Sequence, residues 1–413
     1  MNSWASLDIP EIGSAYLFPP LSLFDTASAS KKPLEVKNLY RLYVCGITPY
    51  DATHLGHAAT YLAFDLAHRY LLATGAEVRF VQNITDIDDP LLERAARDGQ
   101  DWRQLAQSQI DLFRGDMVNL HIIPPAHYIG VVEAMPLIID AISLLESKGS
   151  TYAIENDLYF STRSDVNFGS RSHLSEDEMA TIFAQRGGDP LRPGKRDPLD
   201  ALLWLGKREG EPFWDSPFGE GRPGWHIECS AIALAYLQPD ENSGACIDIQ
   251  GGGSDLIFPH HEMSATQVAI STGREFASHY VHAGMIGLDG EKMSKSLGNL
   301  IFVSQLVESG VDPMAIRWAL MNGSYGADRM WERSFFDEAS VWIERLRSAL
   351  SRVDVAPTAS VISAIITSQS DNLDTTQTLS EIKRWIVATE SGEEGGHAGE
   401  LSRFLDSLLG LAL

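Results

Sequence analysis

Two short signatures, HLGH at His54 to His57 and KMSKS at Lys292 to Ser296, constrain this chain more than any other feature. Either alone is weak evidence, because two histidines around a glycine, or two lysines around serines, arise by chance. Order and surroundings carry the argument. HLGH follows an apolar strand-like run, Leu42 to Cys45, and opens a helical pattern through Ala58, Leu62, Leu66 and Tyr70. A strand-to-helix turn of this kind aims backbone N–H groups at a phosphate. KMSKS sits in a loop after a second strand-like run, Tyr280 to Ile286.

The surrounding pattern alternates strands and helices, which predicts an α/β fold with a doubly wound parallel sheet and its ligand at the carboxyl ends of the strands. Residues 1–37 carry few regular signals and are expected to be an N-terminal extension. A catalytic domain over 38–300 follows, with an insertion at about 100–220. Inside it, helices are predicted at Trp102 to Leu120 and Val131 to Lys148, a strand or hairpin at Tyr152 to Thr162, and a Gly/Pro-rich loop from Gly187 to Gly224. The second half predicts a helix over Trp225 to Leu237, a strand over Ala245 to Gln250 and a helix over Phe258 to Thr272. From Val303 onward the periodicity is helical, so 301–413 is expected to be a helical bundle with no separate further domain.

Charge bears on partners. Lys and Arg total 32 against 56 Asp and Glu, a net charge of −24, and proteins that grip nucleic-acid backbones usually carry a basic footprint. No apolar run reaches the roughly 18 residues of a membrane span, and Met1 to Pro20 lacks a basic stretch followed by an apolar one. A cytoplasmic location is the expectation. The three cysteines, Cys45, Cys229 and Cys246, suit a reducing compartment, with metal or structural roles before disulfides. Spacing alone marks none of them as a ligand.

With HLGH and KMSKS in this order, the chain resembles the class I aminoacyl-tRNA synthetases, whose two histidines and lysines bracket the triphosphate of ATP. The resemblance implies ATP, with Mg2+, as substrate. It makes His54 and His57 donors to phosphate oxygens and gives Lys292 and Lys295 the leaving pyrophosphate. The contexts YVCG, PGWHIECS and GGGSDLIFPHH are similar to cysteinyl-tRNA synthetase, where they supply two thiolates and an imidazole to zinc. Cys45, Cys229 and His260 are then the expected ligands of one Zn2+, with an open fourth position for the substrate thiol. Cys246 is expected to be a small core residue. The same likeness places Cys45, Gly46, Ile47, Thr48, Thr60, Asn83, Ile84, Thr85, Trp225, Gly253, Ser254, Asp255 and Ile286 around cysteine and the adenylate, while Asp86, Asp88 and Asp89 are expected to cap the next helix.

Four features depart from the tRNA-charging enzyme: little chain after KMSKS, the HLGH region CGITPYDATHLGHAATY, Gln250 and Ser264 where that enzyme has histidine and glutamate, and the acidic net charge. All four resemble the ligases of mycothiol biosynthesis, which join cysteine to the amine of glucosaminyl-inositol. Gln185-Arg186-Gly187-Gly188-Asp189-Pro190 matches their ERGGDP segment apart from Gln185. The resemblance implies L-cysteine, ATP and glucosaminyl-inositol as substrates, with no nucleic acid or membrane partner and a monomeric enzyme. Closure of the KMSKS loop is expected, and His57 and Asp255 are candidates for taking the amine proton. A truncated tRNA-charging enzyme is the alternative, and a silent paralogue acting as a binding module a third reading.

Overall fold

The computed structural model describes residues 1–12, 16–51, 53–239, 243–288, 293 and 299–413, together with the backbone of 291–292. Lys295 lies outside the described residues, and so does the side chain of Lys292.

The N-terminal segment forms an antiparallel hairpin, β1 (Ser22–Asp25) and β2 (Ser30–Pro33). The main sheet is built from β3 (Leu39–Val44), β4 (Glu77–Ile84), β5 (His127–Gly130), β10 (Ala245–Gly253) and β11 (Glu275–Ala283), in the order β11-β10-β3-β4-β5. All four ladders are parallel. Chain order runs outward from β3 to β5 on one side and from β10 to β11 on the other, so the direction reverses between β3 and β10. A reversal of this kind opens a crevice beyond the strand ends, where ligands of such folds sit.

Helix α1 (Leu55–Ala73) follows β3 and is buried on nearly every side, because it is covered by the sheet on one face and by C-terminal helices on the other. Its Asp65 accepts from the Arg69 Nε at 2.8 Å and also pairs with Arg317 of α9 (Pro313–Met321); all three side chains are fully buried. Buried ion pairs persist only when every remaining polar atom is satisfied, and here the two guanidinia collect carbonyl oxygens from helix ends. Arg317 donates to Leu120 and Leu409, and Arg69 to His121, Asp406 and Ser407. These carbonyls close α3 (Trp102–Asn119) and α13 (Ala398–Leu409).

Between β5 and β10 the chain forms α4 (Met135–Ser147), α5 (Glu176–Gln185), α6 (Trp225–Leu237) and a second, antiparallel sheet of β6 (Thr151–Ile154), β7 (Asp157–Phe160), β8 (Ala201–Gly206) and β9 (Gly221–Pro223). Two of these strands correct the expectation of a loop over Gly187 to Gly224. ALLWLG is a short apolar strand sandwiched between β7 and β9, with Trp204 fully buried, and its Gly- and Pro-rich flanks hid it. The expected helix over Val131 to Lys148 is shorter than anticipated: its first part is a turn after β5, and α4 begins at Met135. Phe258 is likewise extended, so the helix expected from there starts only at Glu262, as α7 (Glu262–Thr272).

The apolar run Tyr280 to Ile286 is split. β11 ends at Ala283, and β12 (Ile286–Leu288) joins β13 (Glu291–Lys292) and β14 (Arg329–Trp331) in a small mixed sheet. Beyond it lie α8 (Val303–Glu308), α9, α10 (Ser334–Leu350), α11 (Thr358–Ser370), α12 (Thr375–Glu390) and α13. The breaks expected near Ser368 to Thr378 and Ser391 to Gly399 coincide with the turns on either side of α12. Among the described residues, no helix is long and apolar enough to cross a membrane.

Candidate active site

Three strand ends build the crevice. Cys45 and Gly46 follow β3, Asn83 and Ile84 end β4 with Thr85 just beyond, and Gly251 to Gly253 end β10. Asn83 is buried beneath the first turn: its Oδ1 accepts from Tyr43 OH at 3.1 Å and the Gly46 N–H at 2.8 Å, and its Nδ2 donates to Thr85 Oγ1 at 3.2 Å. The Tyr61 hydroxyl donates to the Cys45 carbonyl at 3.1 Å, and the Thr85 N–H to the Ile47 carbonyl at 3.1 Å. Only glycine fits at 46, where an added Cβ would lie 1.7 Å from the Asn83 carbonyl oxygen. Asn83 and Thr85 therefore fix the turn that presents Cys45.

Cys229, in the second turn of α6, and His260, just before α7, meet Cys45 from the far side of the crevice. Their ligand atoms all lie within 4.8 Å of one another and all three side chains are buried. The Cys45 and Cys229 sulfurs are 3.8 Å apart, and His260 Nε2 is 3.2 Å from the Cys229 sulfur. Burial pushes the Cys45 thiol up, with Cys229 adding to the rise. Burial also pushes Cys229 up, but its hydrogen bond with Cys45 and the His260 imidazole outweigh this and hold it well below the usual thiol range. Two soft sulfurs and an imidazole, packed closely around one point, form a donor set that fits a thiophilic divalent ion. Trp225 stacks on His260 with ring centroids 4.4 Å apart, and half-buried it walls the cluster.

Further histidines surround the cluster. His261 Nε2 lies 3.2 Å from the Cys45 sulfur, its Nδ1 lies 2.7 Å from His282 Nε2, and His282 Nδ1 lies 2.7 Å from the Thr26 hydroxyl. Burial pushes both imidazoles down, His282 to about 3, so they are neutral. The contacts form one continuous relay, in which donation can run from the Thr26 hydroxyl to the Cys45 sulfur or in reverse from the Cys45 thiol to Thr26. His261 was visible in sequence only as the second half of a His pair. Nothing in the sequence pointed to His282 or Thr26.

His54 caps α1, accepting the Gly56 N–H at Nδ1 at 3.0 Å, and its ring stacks on His57 at 3.9 Å. The Thr60 hydroxyl donates to the Gly56 carbonyl one turn on. Across the crevice, a Cβ on Gly253 would come within 2.5 Å of an Asp255 carboxylate oxygen and 4.0 Å of the Thr60 hydroxyl. Thr60, Gly253, Ser254 and Asp255 therefore stand together at the HLGH end. Arg186, within the segment whose first residue Gln185 departs from the ERGGDP pattern, donates to the carbonyls of Asp255 and Phe258 and so ties α5 to this turn. Asp88, not Asp86 or Asp89, caps the helix α2 (Asp89–Asp98), and Asp86 instead accepts the Val132 N–H.

Thr48 lies half-buried beyond Gly46 and Ile47, and Ile286 is buried at the start of β12. Gln250 is buried in β10. Ser264 does not reach toward the sulfurs: its hydroxyl donates to the His226 and His260 carbonyls at 3.1 and 2.8 Å. Cys246 is a core residue beneath Thr272, as expected.

A doubly wound parallel sheet whose switch point joins HLGH, the glycine turn of β10 and a pocket walled by Trp225 defines a class I synthetase catalytic domain. The family described as tRNA synthetases class I (C) catalytic domain matches residues 31–340. Among solved structures, Mycobacterium tuberculosis methionyl-tRNA synthetase in complex with methionyl-adenylate superposes with a TM-score of 0.64 at 16% identity, covering 91% of this chain and 89% of that one. The ternary LeuRS-tRNA-LeuAMS complex of Agrobacterium radiobacter K84 agnB2 gives 0.62 at 13% identity, with 91% and 84% covered. Both share the fold. Curated relatives are far nearer in sequence: the L-cysteine:1D-myo-inositol 2-amino-2-deoxy-alpha-D-glucopyranoside ligase of Thermomonospora curvata is 50% identical, and that of Nocardia farcinica 49%, each over the whole of both chains. The chain belongs to this ligase family within the class I synthetases.

Proposed function

We propose that the protein ligates L-cysteine to the amine of glucosaminyl-inositol at the expense of ATP, in mycothiol biosynthesis. The observation that carries the reading is the Cys45, Cys229 and His260 cluster, set beside HLGH at the switch point of the sheet.

In the first half-reaction a cysteine carboxylate oxygen attacks the α-phosphorus of ATP. The α–β P–O bond breaks, pyrophosphate leaves and cysteinyl-adenylate forms. His54 and His57 donate to phosphate oxygens as charge builds there, and Lys292 and Lys295 neutralise the departing pyrophosphate, whose Mg2+ enters with ATP. A zinc ion held by Cys45, Cys229 and His260 would supply a soft acid for the substrate thiol, which serine's harder oxygen matches poorly. Trp225 closes the cysteine pocket, and Thr48, Thr60, Gly253, Ser254 and Asp255 hold the adenylate, with Ile47, Ile84 and Ile286 as its apolar surroundings.

In the second half-reaction the neutral amine attacks the carbonyl carbon. The bond to the phosphate oxygen breaks, AMP leaves and the nitrogen gives up a proton to become the amide. Proximity of amine and adenylate supplies much of the rate. His57 and Asp255 are the candidates for taking the proton. The reading includes a monomeric cytoplasmic enzyme, with the catalytic unit at 38–300 carrying the insertion at about 100–220 and the helical bundle at 301–413.

The test is AMP formation by the purified protein with cysteine and ATP, with glucosaminyl-inositol or tRNA as acceptor. AMP and a cysteinyl amide with the aminosugar alone are expected. Cysteinyl-tRNA instead would overturn the reading.

A further inference from the structure

Beside the HLGH turn, a cleft of about 580 Å³ opens between the Tyr50-Asp51 loop, helix α2 and the segment after KMSKS. We propose that it is the acceptor subsite, which takes a polyhydroxylated aminosugar and delivers its amine to the adenylate. The proposal rests on the function proposed above and names the place where the second substrate binds.

Position supports it. Phe302 forms a backbone bridge with His54, and the Leu55 N–H donates to the Ile301 carbonyl at 2.9 Å, so one wall of the cleft is joined directly to the start of α1. Tyr50, on the opposite wall, has its phenol pushed up by burial and then by the carboxylates of Asp51, Asp88 and Asp255. Its phenol therefore feels the charge of the Asp255 carboxylate as well as that of Asp51 beside it.

The lining mixes charges of both signs, as a polyhydroxylated amine requires. Asp51 and Glu93 contribute carboxylates, which accept from hydroxyls and attract an ammonium group, and Arg94 and Arg97 contribute guanidinia, which donate to hydroxyls. Arg94 is held rigidly: it donates to the Tyr50 carbonyl, lies 3.1 Å from Asp51, and its Nε donates to Asp98 at 3.0 Å. Those contacts use Nε and Nη1. The Nε of Arg97 is likewise bound by Asp98, at 2.9 Å. Tyr50 and Phe302 add flat apolar faces of the kind on which a sugar ring can rest. The volume falls within the roughly 300 to 1,000 Å³ of small-molecule sites.

The experiment compares the parent enzyme with Glu93→Gln and Arg97→Ala, both at exposed positions, in two assays: cysteine-dependent exchange of pyrophosphate into ATP, and amide formation across a range of glucosaminyl-inositol concentrations. Losing one charged hydrogen bond should raise the KM for the aminosugar about tenfold, with the effect on exchange smaller by about the same factor. An unchanged aminosugar KM in both variants overturns the subsite. So does an equal loss in pyrophosphate exchange, which would make the cleft part of the ATP site. A parent enzyme that exchanges pyrophosphate but forms no amide with the aminosugar overturns the proposed function itself, and the subsite with it.

Discussion

The sulfurs of Cys45 and Cys229 stand 3.8 Å apart although 184 positions separate them in the chain. One is set by the end of a central strand and the other by the second turn of α6, so the distance between them reports directly on how the two halves of the sheet are joined. Two sulfurs this close, with the His260 imidazole beside them, are arranged to share a third atom.

Replacing Cys45 with serine, or His260 with alanine, should therefore remove bound metal and cysteine activation together. Metal content by elemental analysis should fall below about a tenth of the parent value, and cysteine-dependent pyrophosphate exchange by at least about a hundredfold, the scale of losing a ligand that supplies several kcal/mol. A metal-free variant with full exchange activity would refute the proposed selection of cysteine by its thiol.

His282→Ala tests the chain from Thr26 through His261 to Cys45. Partners one step behind a ligand typically change metal affinity about 10 to 100-fold. Competition with a chromophoric chelator should show a loss in that range, and Thr26→Val a smaller one. If both variants hold metal as tightly as the parent, the hydrogen-bonded chain serves packing alone.

Arg317→Met should cost about 3 to 5 kcal/mol, because it leaves the buried Asp65 with Arg69 as its one charged partner beside the Ile123 N–H and strips the Leu120 and Leu409 carbonyls of their donor. Urea unfolding followed by fluorescence would measure it. A loss below about 1 kcal/mol would show that Arg69 and water compensate.

Asp116, buried on α3, has its carboxyl pushed up to about 7 by burial, against a partial offset from the Thr53 hydroxyl. A carboxyl raised in the folded state keeps its proton there, so its contribution is complete below the unfolded value near 3.8 and is lost as pH rises through 7. Asp116→Asn should accordingly stabilise the protein at pH 8 by about 1 to 3 kcal/mol, with the gain vanishing near pH 4. Equal stability of the two proteins at pH 8 would show that the carboxylate ionises without cost.

Much of this was legible in the sequence, and what was not has physical causes. Four of the five strands of the main sheet are apolar runs bounded by turns, and burial on both faces makes such runs easy to recognise; β5 escaped because it is only four residues long, HYIG, with an exposed histidine at its start. HLGH and GGGSD could be placed because each lies at a strand end. The hairpin of β1 and β2 escaped notice because Lys31 and Lys32 are solvated and break any alternation. β8 escaped because only six residues separate its polar flanks. The contact of His261 with His282 joins α7 to β11 through two side chains, and a hydrogen bond between distant elements leaves no periodic trace. Arg186 was passed over for the same reason: it binds carbonyls, which every residue has, so its partners could not be guessed from residue types.

The clasp made by Arg69 and Arg317 also bears on how the molecule is assembled. Both guanidinia lie in or against the helix that begins at HLGH, yet several of the carbonyls they bind belong to the end of α13. While the chain is being synthesised, those charges have no complete set of partners until that last helix has left the ribosome. The nucleotide-handling half is therefore expected to settle fully only when α13 docks, and removing α13 should leave the protein unable to activate cysteine.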